Sequence, residues 1–544
     1  MTDIHSDADA RFERTVERWF RDRLALEPVF ATYLGIHEHD QRLPSGSREH
    51  VEELVAYHRN AIAEMERFDT ASLSADHALD RDLAIHQSRL ALHELTERRT
   101  WRGRSGAAEE IGEALFPLFT RDFAPLPERL ASIAARLEAA PQLINESEAR
   151  VSDPVAVWAE IDMESCAALP GFLDTIVSAA ASDGGDPALT ERLRTAAAAA
   201  ASALESHAAW LRDEVLPRAT AEWAAGAEQF EEIVRLRELE ASGDEILAVG
   251  EQMLADSIAA RDAVSAEIDP SVSLAEVADI VKNDHAATFV EALDQYRSTM
   301  DAARTFVIEH DLATVPEEDN LNVVETPSFI RHLIPFAAYY EPAKFDRVPT
   351  GTYIVTPPAT PEMMREHNRS GISNTSVHEA YPGHHLQLSA AVTNPSLVRL
   401  FSGAPEFAEG WAFYCERMMK EQGFDDSPTG WYVMHTDAIW RACRILLDIR
   451  LHRGEIGFDE AVDFLQARTG FERPAALAEV KRYTSTPTYQ LSYLYGRHMI
   501  ERLRDDVQAS SNGAFTLKGF HDTLLYGGTM PVSYARRRFP GVAR

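Results

Sequence analysis

The sequence predicts a mainly α-helical protein with a small β-sheet, and three observations carry that expectation. At 544 residues the chain is longer than a single hydrophobic core usually grows, so two lobes, or one long helical body, are expected. Helical periodicity dominates from end to end. Only one stretch, from about Thr314 to Pro358, is rich in prolines and β-branched residues.

The first helix is opened by the Asp7 to Asp9 region. Phe12, Val16, Trp19 and Phe20 then fall at i, i+4, i+7 and i+8 and make one apolar stripe. TERLRTAAAAAASALESHAAWLRDEVLP, from Thr190 to Pro217, is dominated by the best helix former, follows the loop SDGGDP and stops at a proline. Its alanines suit close helix packing. Within 314–358 the segments VPEEDN, ETPSF, YYEPAKF and DRVPTGTYIVTPP interrupt the pattern. Thr352 to Thr356, between Gly351 and the Pro357-Pro358 stop, is the best strand candidate. Such a strand either lies along a cleft and pairs with an extended peptide, or is an ordinary structural edge. Helices resume from about Pro361, with breaks near Gly423 to Gly430, Gly454 to Gly457 and Gly470 to Pro474. The expected division is a helical N-terminal region, 1–315, and a helical C-terminal region with the small sheet, 316–544.

Composition removes several function classes. With 45% hydrophobic and 26% charged residues the chain can build a core and is not disordered. A net charge of -34 argues against nucleic-acid binding, which needs clustered Lys and Arg. Cys166, Cys415 and Cys443 are far apart, so neither a disulfide framework nor a thiolate metal site is indicated. The start, MTDIHSDADARFERTVERWF, lacks the basic and apolar regions of a secretory signal. No run approaches the roughly 18 to 20 apolar residues of a membrane span. No membrane partner and a cytoplasmic location are therefore expected. GxSxG and phosphate-binding glycine loops are also absent.

What carries chemistry is HEAYPGHH, residues 378–385. In the familiar His-Glu-x-x-His helix the second histidine follows four residues after the first, and here that position is Pro382. On an unbroken helix His385 would return to the face of His378 but roughly 10.5 Å away along the axis, and His384 would face elsewhere. Pro382 forbids the unbroken helix, because it has no N–H and its ring clashes with the carbonyl of His378, while Gly383 frees the backbone beside it. A bulge inside the helix is expected, bringing a later histidine back toward the first. On that basis His378 and His384 are the metal ligands, with His385 as the alternative ligand or a group behind the ligands. Glu379 faces the same site as general base.

A catalytic zinc site usually takes three protein ligands. The helix APEFAEGWAFYCERMMKEQG offers Glu406, Glu409 and Glu416 near one face. Glu409 is chosen because Ala408, Trp411, Ala412, Phe413 and Tyr414 around it argue against full exposure.

HEAYPGHHLQ, FAEGWAFYCE, RACRILLDIRLH and EVKRYTSTPTYQLSYLYGR, with ATYLGIHEHDQRLP at 31–44, resemble the signatures of the bacterial "domain of unknown function 885" family over nearly the whole chain. That family is similar to the gluzincin metallopeptidases, which hold zinc with two histidines and a downstream glutamate. The resemblance implies a large two-lobed, metallopeptidase-like helical architecture with the small sheet beside the active-site cleft. It also implies one zinc ion on His378, His384 and Glu409, and hydrolysis of a short peptide with Glu379 moving the proton. Aligning the Gly-His step of HEAYPGHHL with that of the oligopeptidases puts His384 in the ligand place.

A tetrahedral oxyanion needs a donor. YQLSYLYGRH offers Tyr489, Tyr493, Tyr495, Arg497 and His498, of which Tyr493 is favoured as the donor, with Arg497 assigned beside it at the reacting centre. Tyrosines packing a helix interface fit the same pattern. Arg441, Arg444, Asp448 and His452 lie on one helical stripe, where Asp448 either orients a histidine or pairs with Arg444. The remaining histidines need no function, and none follows a glutamate by three residues, so the di-iron helical-bundle signature is absent. Two other readings share the motif: a non-catalytic helical peptide-binding or scaffold protein with a structural or vestigial metal, and a metal-dependent hydrolase of a non-peptide amide or ester.

Overall fold

The computed structural model describes residues 2–182, 186–326, 331 and 337–542. It is mainly helical, and the described residues form two compact units. One comprises, of the described residues, those within 2–223 together with 331 and 343–349; the other comprises 224–326, 337–342 and 350–542. The division falls after Trp223, not at the expected 315. The helices between Ala227 and Glu309 belong with the C-terminal residues because their apolar faces pack there. Helix Gly243–Ile268 lies so tightly along Pro428–His452 that a Cβ on Gly250 would come 2.7 Å from the Ile445 side chain.

Among the described residues, the named elements of the first unit are all helical. Phe12, Val16, Trp19 and Phe20 are all buried on helix Thr2–Leu26, as their stripe requires. The alanine-rich helix Pro187–Trp210 ends seven residues before Pro217 and buries Ala196, Ala197 and Ala200, packing against Leu126–Arg150 and Ala156–Ser182. Ala156–Ser182 is long and apolar enough to cross a membrane by length and composition, which inspection for apolar runs did not predict. In this unit it buries Leu169, Phe172, Leu173 and Ile176 on one face, and its buried Asp162 pairs with Arg104.

The second unit carries the sheet. Strands β1 (Leu321–Glu325), β2 (Ala337–Tyr340) and β3 (Gly351–Val355) are ordered β1-β3-β2, with β1 parallel and β2 antiparallel to β3. The predicted strand Thr352 to Thr356 is β3 to within one residue. It is the central strand, hydrogen-bonded on both sides, so it has no edge to offer a peptide. Its Tyr353 and Val355 are fully buried. The flanking strands escaped prediction because LNVVE and AAYY are short and carry no clear alternation.

Four helices frame the motif: Arg369–Glu379, His384–Ala391, Pro405–Glu421 and Leu494–Ser510. The last two meet backbone to backbone, since a Cβ on Gly410 would lie 2.5 Å from the Gly496 carbonyl carbon. That approach sets the turn before Leu494, which carries Tyr489 and Tyr493, against the turn that carries Glu409.

Candidate metal centre

The HEAYPGHH segment is a break between two helices, where a bulge within one was expected. Helix Arg369–Glu379 stops at Glu379 and a new helix starts at His384, with a cis Tyr381–Pro382 peptide between them. The cause is local. Pro382 has no N–H to continue the ladder, and the Gly383 N–H reaches back to the Val377 carbonyl at 3.0 Å. A Cβ on Gly383 would sit 1.8 Å from the His378 carbonyl oxygen, so no other residue fits this return of the chain. The indole Nε1 of Trp411 donates to the Pro382 carbonyl at 2.8 Å and holds the break in place.

The break does what the bulge was expected to do. The His378 and His384 rings meet edge to face with centroids 4.8 Å apart. Glu409 Oε2 lies 3.8 Å from His378 Nε2 and 3.4 Å from His384 Nε2. One ligand atom from each of the three residues falls within 4.8 Å of the others. Two imidazoles and a carboxylate converging in this way suit a zinc ion, which takes nitrogen and oxygen donors and keeps a fourth position for water or substrate.

What lies behind His378 sharpens the fit. Its Nδ1 is 2.7 Å from Glu416 Oε1, which commits that nitrogen to the N–H and leaves Nε2 facing His384 and Glu409. Glu416 is itself buried and accepts from Asn374 Nδ2 at 2.8 Å; the same amide donates to Asp437 at 3.2 Å. Asp437 in turn accepts from Arg441 Nη1 at 3.1 Å. Burial opposes a charge on His378, but the carboxylates of Glu409 and Glu416 outweigh it and lift its pKa to about 10. Burial also raises Glu409, and the two histidines override it, holding that carboxyl well below the usual range. This cluster is arranged around a positive charge.

Glu379 ends its helix directly after His378 and is half-buried. Among the described residues its carboxylate has no hydrogen bond or ion pair. Its charge nevertheless reaches the phenols of Tyr296, Tyr339 and Tyr353, all raised first by burial; this carboxylate is the next cause at Tyr296 and comes after other neighbours at Tyr339 and Tyr353.

The other expected site residues divide. Tyr489 donates to Glu409 Oε1 at 3.3 Å. Tyr493 stacks edge-on to Tyr489 at 6.2 Å, under the Arg444 guanidinium at 4.8 Å, and its phenol is raised by burial and by the charge of Glu409. Arg497, one turn further, does not join the cluster: its guanidinium lies over the Phe413 ring at 5.3 Å with Glu501 at 3.6 Å. His385 is turned away from the ligands, with Nε2 at 2.8 Å from Asp319 and Nδ1 at 2.9 Å from Tyr339. Asp448 lies 3.6 Å from His452, while Arg444 reaches Glu479 and Tyr483 instead.

Asn374, Asp437, Asp319 and Tyr339 were not found from the sequence. Asn374 does stand four residues before His378, one turn back on the same helix, and that spacing was a readable signal. Asp319 and Tyr339 sit in irregular or short extended segments with no periodicity to mark them.

A family described as bacterial protein of unknown function (DUF885) matches residues 28–539. The chain belongs to this family. No functionally curated protein matches it. Two solved structures share the fold of this DUF885 protein. One is described as "a putative lipoprotein of unknown function" from Shewanella oneidensis, with TM-score 0.79 and 22% identity over 97% of this chain and 99% of that one. The other is described as "the putative lipoprotein" from Colwellia psychrerythraea, with TM-score 0.82 and 17% identity over 97% and 98%. These likenesses establish the fold, and the lipoprotein descriptions belong to those two proteins.

Proposed function

We propose that this DUF885 protein is a zinc-dependent hydrolase that cleaves short peptides, with a gluzincin-like centre in a metallopeptidase-like helical architecture. The observation that carries this reading is the convergence of His378, His384 and Glu409 with Glu416 behind His378, beside a Glu379 carboxylate that has no protein partner among the described residues. A purely structural metal site closes its coordination with protein ligands, whereas three ligands and an adjacent uncommitted carboxylate suit catalysis.

His378, His384 and Glu409 would hold the zinc ion, which would supply Lewis acidity toward a carbonyl and toward water near neutral pH. Glu379 takes the proton of the attacking water as the C–O bond forms and returns it to the amine as the C–N bond breaks. A carboxylate without a hydrogen-bond partner among the described residues suits a group that must accept and release a proton within one cycle. The Tyr493 phenol, kept protonated by burial and by Glu409, is available to donate to the oxyanion. Tyr489 bonds to Glu409 and steadies the ligand. Arg444 lies over the Tyr493 ring at 4.8 Å and helps to hold it. Arg497 supports this wall through Phe413 without touching the reacting atoms.

The expected cytoplasmic location is proposed here against the lipoprotein descriptions of the two relatives, and fractionation of native cells decides between them. The function itself is tested by incubating zinc-loaded protein with a mixture of short peptides and reading products by mass spectrometry. Cleavage that stops with a chelator and returns with zinc is expected. Absence of cleavage in protein that has bound zinc removes the hydrolase reading.

A further inference from the structure

The two oxygens of Glu409 face different ways. Oε2 is the one near His378 and His384, at 3.8 and 3.4 Å, while Oε1 accepts from Tyr489 Oη at 3.3 Å. Whatever fixes Tyr489 therefore fixes which oxygen is left for a metal. The residue before it, Thr488, has φ +69, a left-handed conformation that is an outlier for a β-branched side chain. Backbone of this kind persists only where its surroundings hold it.

Arg237, 251 residues earlier in the chain, makes the contacts that Thr488 needs. Its guanidinium is buried just past the end of helix Ala227–Leu236. Nη1 donates to the Thr488 carbonyl at 2.5 Å and to the Thr488 hydroxyl at 3.2 Å, while Nη2 donates to Ser492 Oγ at 3.1 Å and to Glu406 Oε2 at 2.6 Å. Glu406 is buried too, and stands three residues before Glu409 on the same helix. The contacts thus close a ring, from helix Pro405–Glu421 at Glu406 through Arg237 to Thr488, and from Tyr489 back to that helix at Glu409. Glu238, directly after Arg237, also has a left-handed φ of +54, and the Leu239 carbonyl beyond it accepts from Tyr495 Oη at 2.9 Å. We propose that Arg237 is a positioning residue of this centre: by clamping Thr488 it aims Tyr489 at Glu409 Oε1 and leaves Oε2 as the metal-binding oxygen. An ion pair that served folding alone would leave metal affinity unmoved. The inference rests on the zinc centre of the hydrolase reading and names a remote determinant of it.

The test measures zinc affinity by competition with a chelator in wild type, Arg237→Lys, Tyr489→Phe, and Arg237→Lys combined with either Tyr489→Phe or Thr488→Gly. Melting temperatures of the zinc-free proteins are the control. Arg237→Lys keeps a cation for Glu406, but a single ammonium cannot span Thr488 and Glu406 as the two ends of a planar fork do. It is expected to fold and to bind zinc about tenfold more weakly, as is Tyr489→Phe. Adding Tyr489→Phe to Arg237→Lys should cost no further affinity, because both act on one contact. Adding Thr488→Gly should bring affinity back to within about threefold of wild type, whether or not the melting temperature recovers, since glycine takes a left-handed φ without a clamp. A purely structural ion pair would not give that rescue. If Arg237→Lys fails to fold, Arg237→Gln with Glu406→Gln, which removes both buried charges together, takes its place in every comparison. Unchanged affinity in the Arg237 or Tyr489 variant, losses that add between them, or no rescue by Thr488→Gly overturns the inference and leaves the hydrolase reading intact. Wild type that binds no zinc overturns both.

Discussion

Glu416 Oε1 lies 2.7 Å from His378 Nδ1, and this contact determines which nitrogen His378 presents to the candidate metal. Outer carboxylates of this kind hold the ring orientation and raise ligand basicity. Glu416→Gln keeps the shape but loses the charge. It should weaken zinc binding about 10- to 100-fold, measured by competition with a chromophoric chelator. An unchanged affinity would show that the contact is only packing.

In metal-free protein the same carboxylates favour the imidazolium of His378, with a pKa of about 10 against an ordinary value near 6.5. The pKa is raised on folding, so this contribution to stability is complete below about pH 6.5 and fades as pH rises through about 10. Zinc must displace that proton. Its apparent affinity should therefore rise about tenfold per pH unit between pH 7 and 9, from His378 alone. Titrations at three pH values check this, and a flat profile contradicts it.

Gly383 is the position where the break permits no side chain, because a Cβ would collide with the His378 carbonyl oxygen. Gly383→Ala should cost about 3 kcal/mol or more and lower zinc affinity, since the chain must open at the point that brings His384 back. Thermal unfolding with and without zinc measures both effects. Wild-type behaviour would mean that the break is not needed for the site.

Glu379→Gln should retain zinc and lose about 10²- to 10⁴-fold in kcat. Tyr493→Phe should lower kcat about 10- to 100-fold with little change in KM, whereas Tyr489→Phe should act first on zinc affinity, because Tyr489 bonds to the ligand Glu409. Steady-state kinetics and chelator competition on the three variants separate these roles. The reverse pattern for the two tyrosines would exchange their assignments.

Much of this was legible in the residues. The helical stripes and the breaks were, because side-chain periodicity and proline act locally. The convergence of His384 on His378 was legible as well, because Pro382 forbids the helix that would separate them. Two things were misjudged for physical reasons. An interruption by proline and glycine can be absorbed as a bulge or can end the helix. The close contact at Gly383 and the Trp411 hydrogen bond select the second, and both depend on tertiary packing. Arg497 was expected at the reacting centre by its nearness in sequence to Tyr493, yet one turn of helix carries it to Phe413 and Glu501. The Asp319–His385–Tyr339 network joins residues dozens of positions apart from three segments without periodic signal, and no local pattern could reveal it.

The central claim is that His378, His384 and Glu409 hold a single zinc ion. Metal content after equilibration with zinc and desalting, measured in wild type and in His384→Ala, Glu409→Ala and His385→Ala, tests it most directly. The account predicts one zinc per chain in wild type, near-complete loss in His384→Ala and Glu409→Ala, and retention in His385→Ala. Zinc kept by His384→Ala and lost from His385→Ala, or no zinc in wild type, would contradict it.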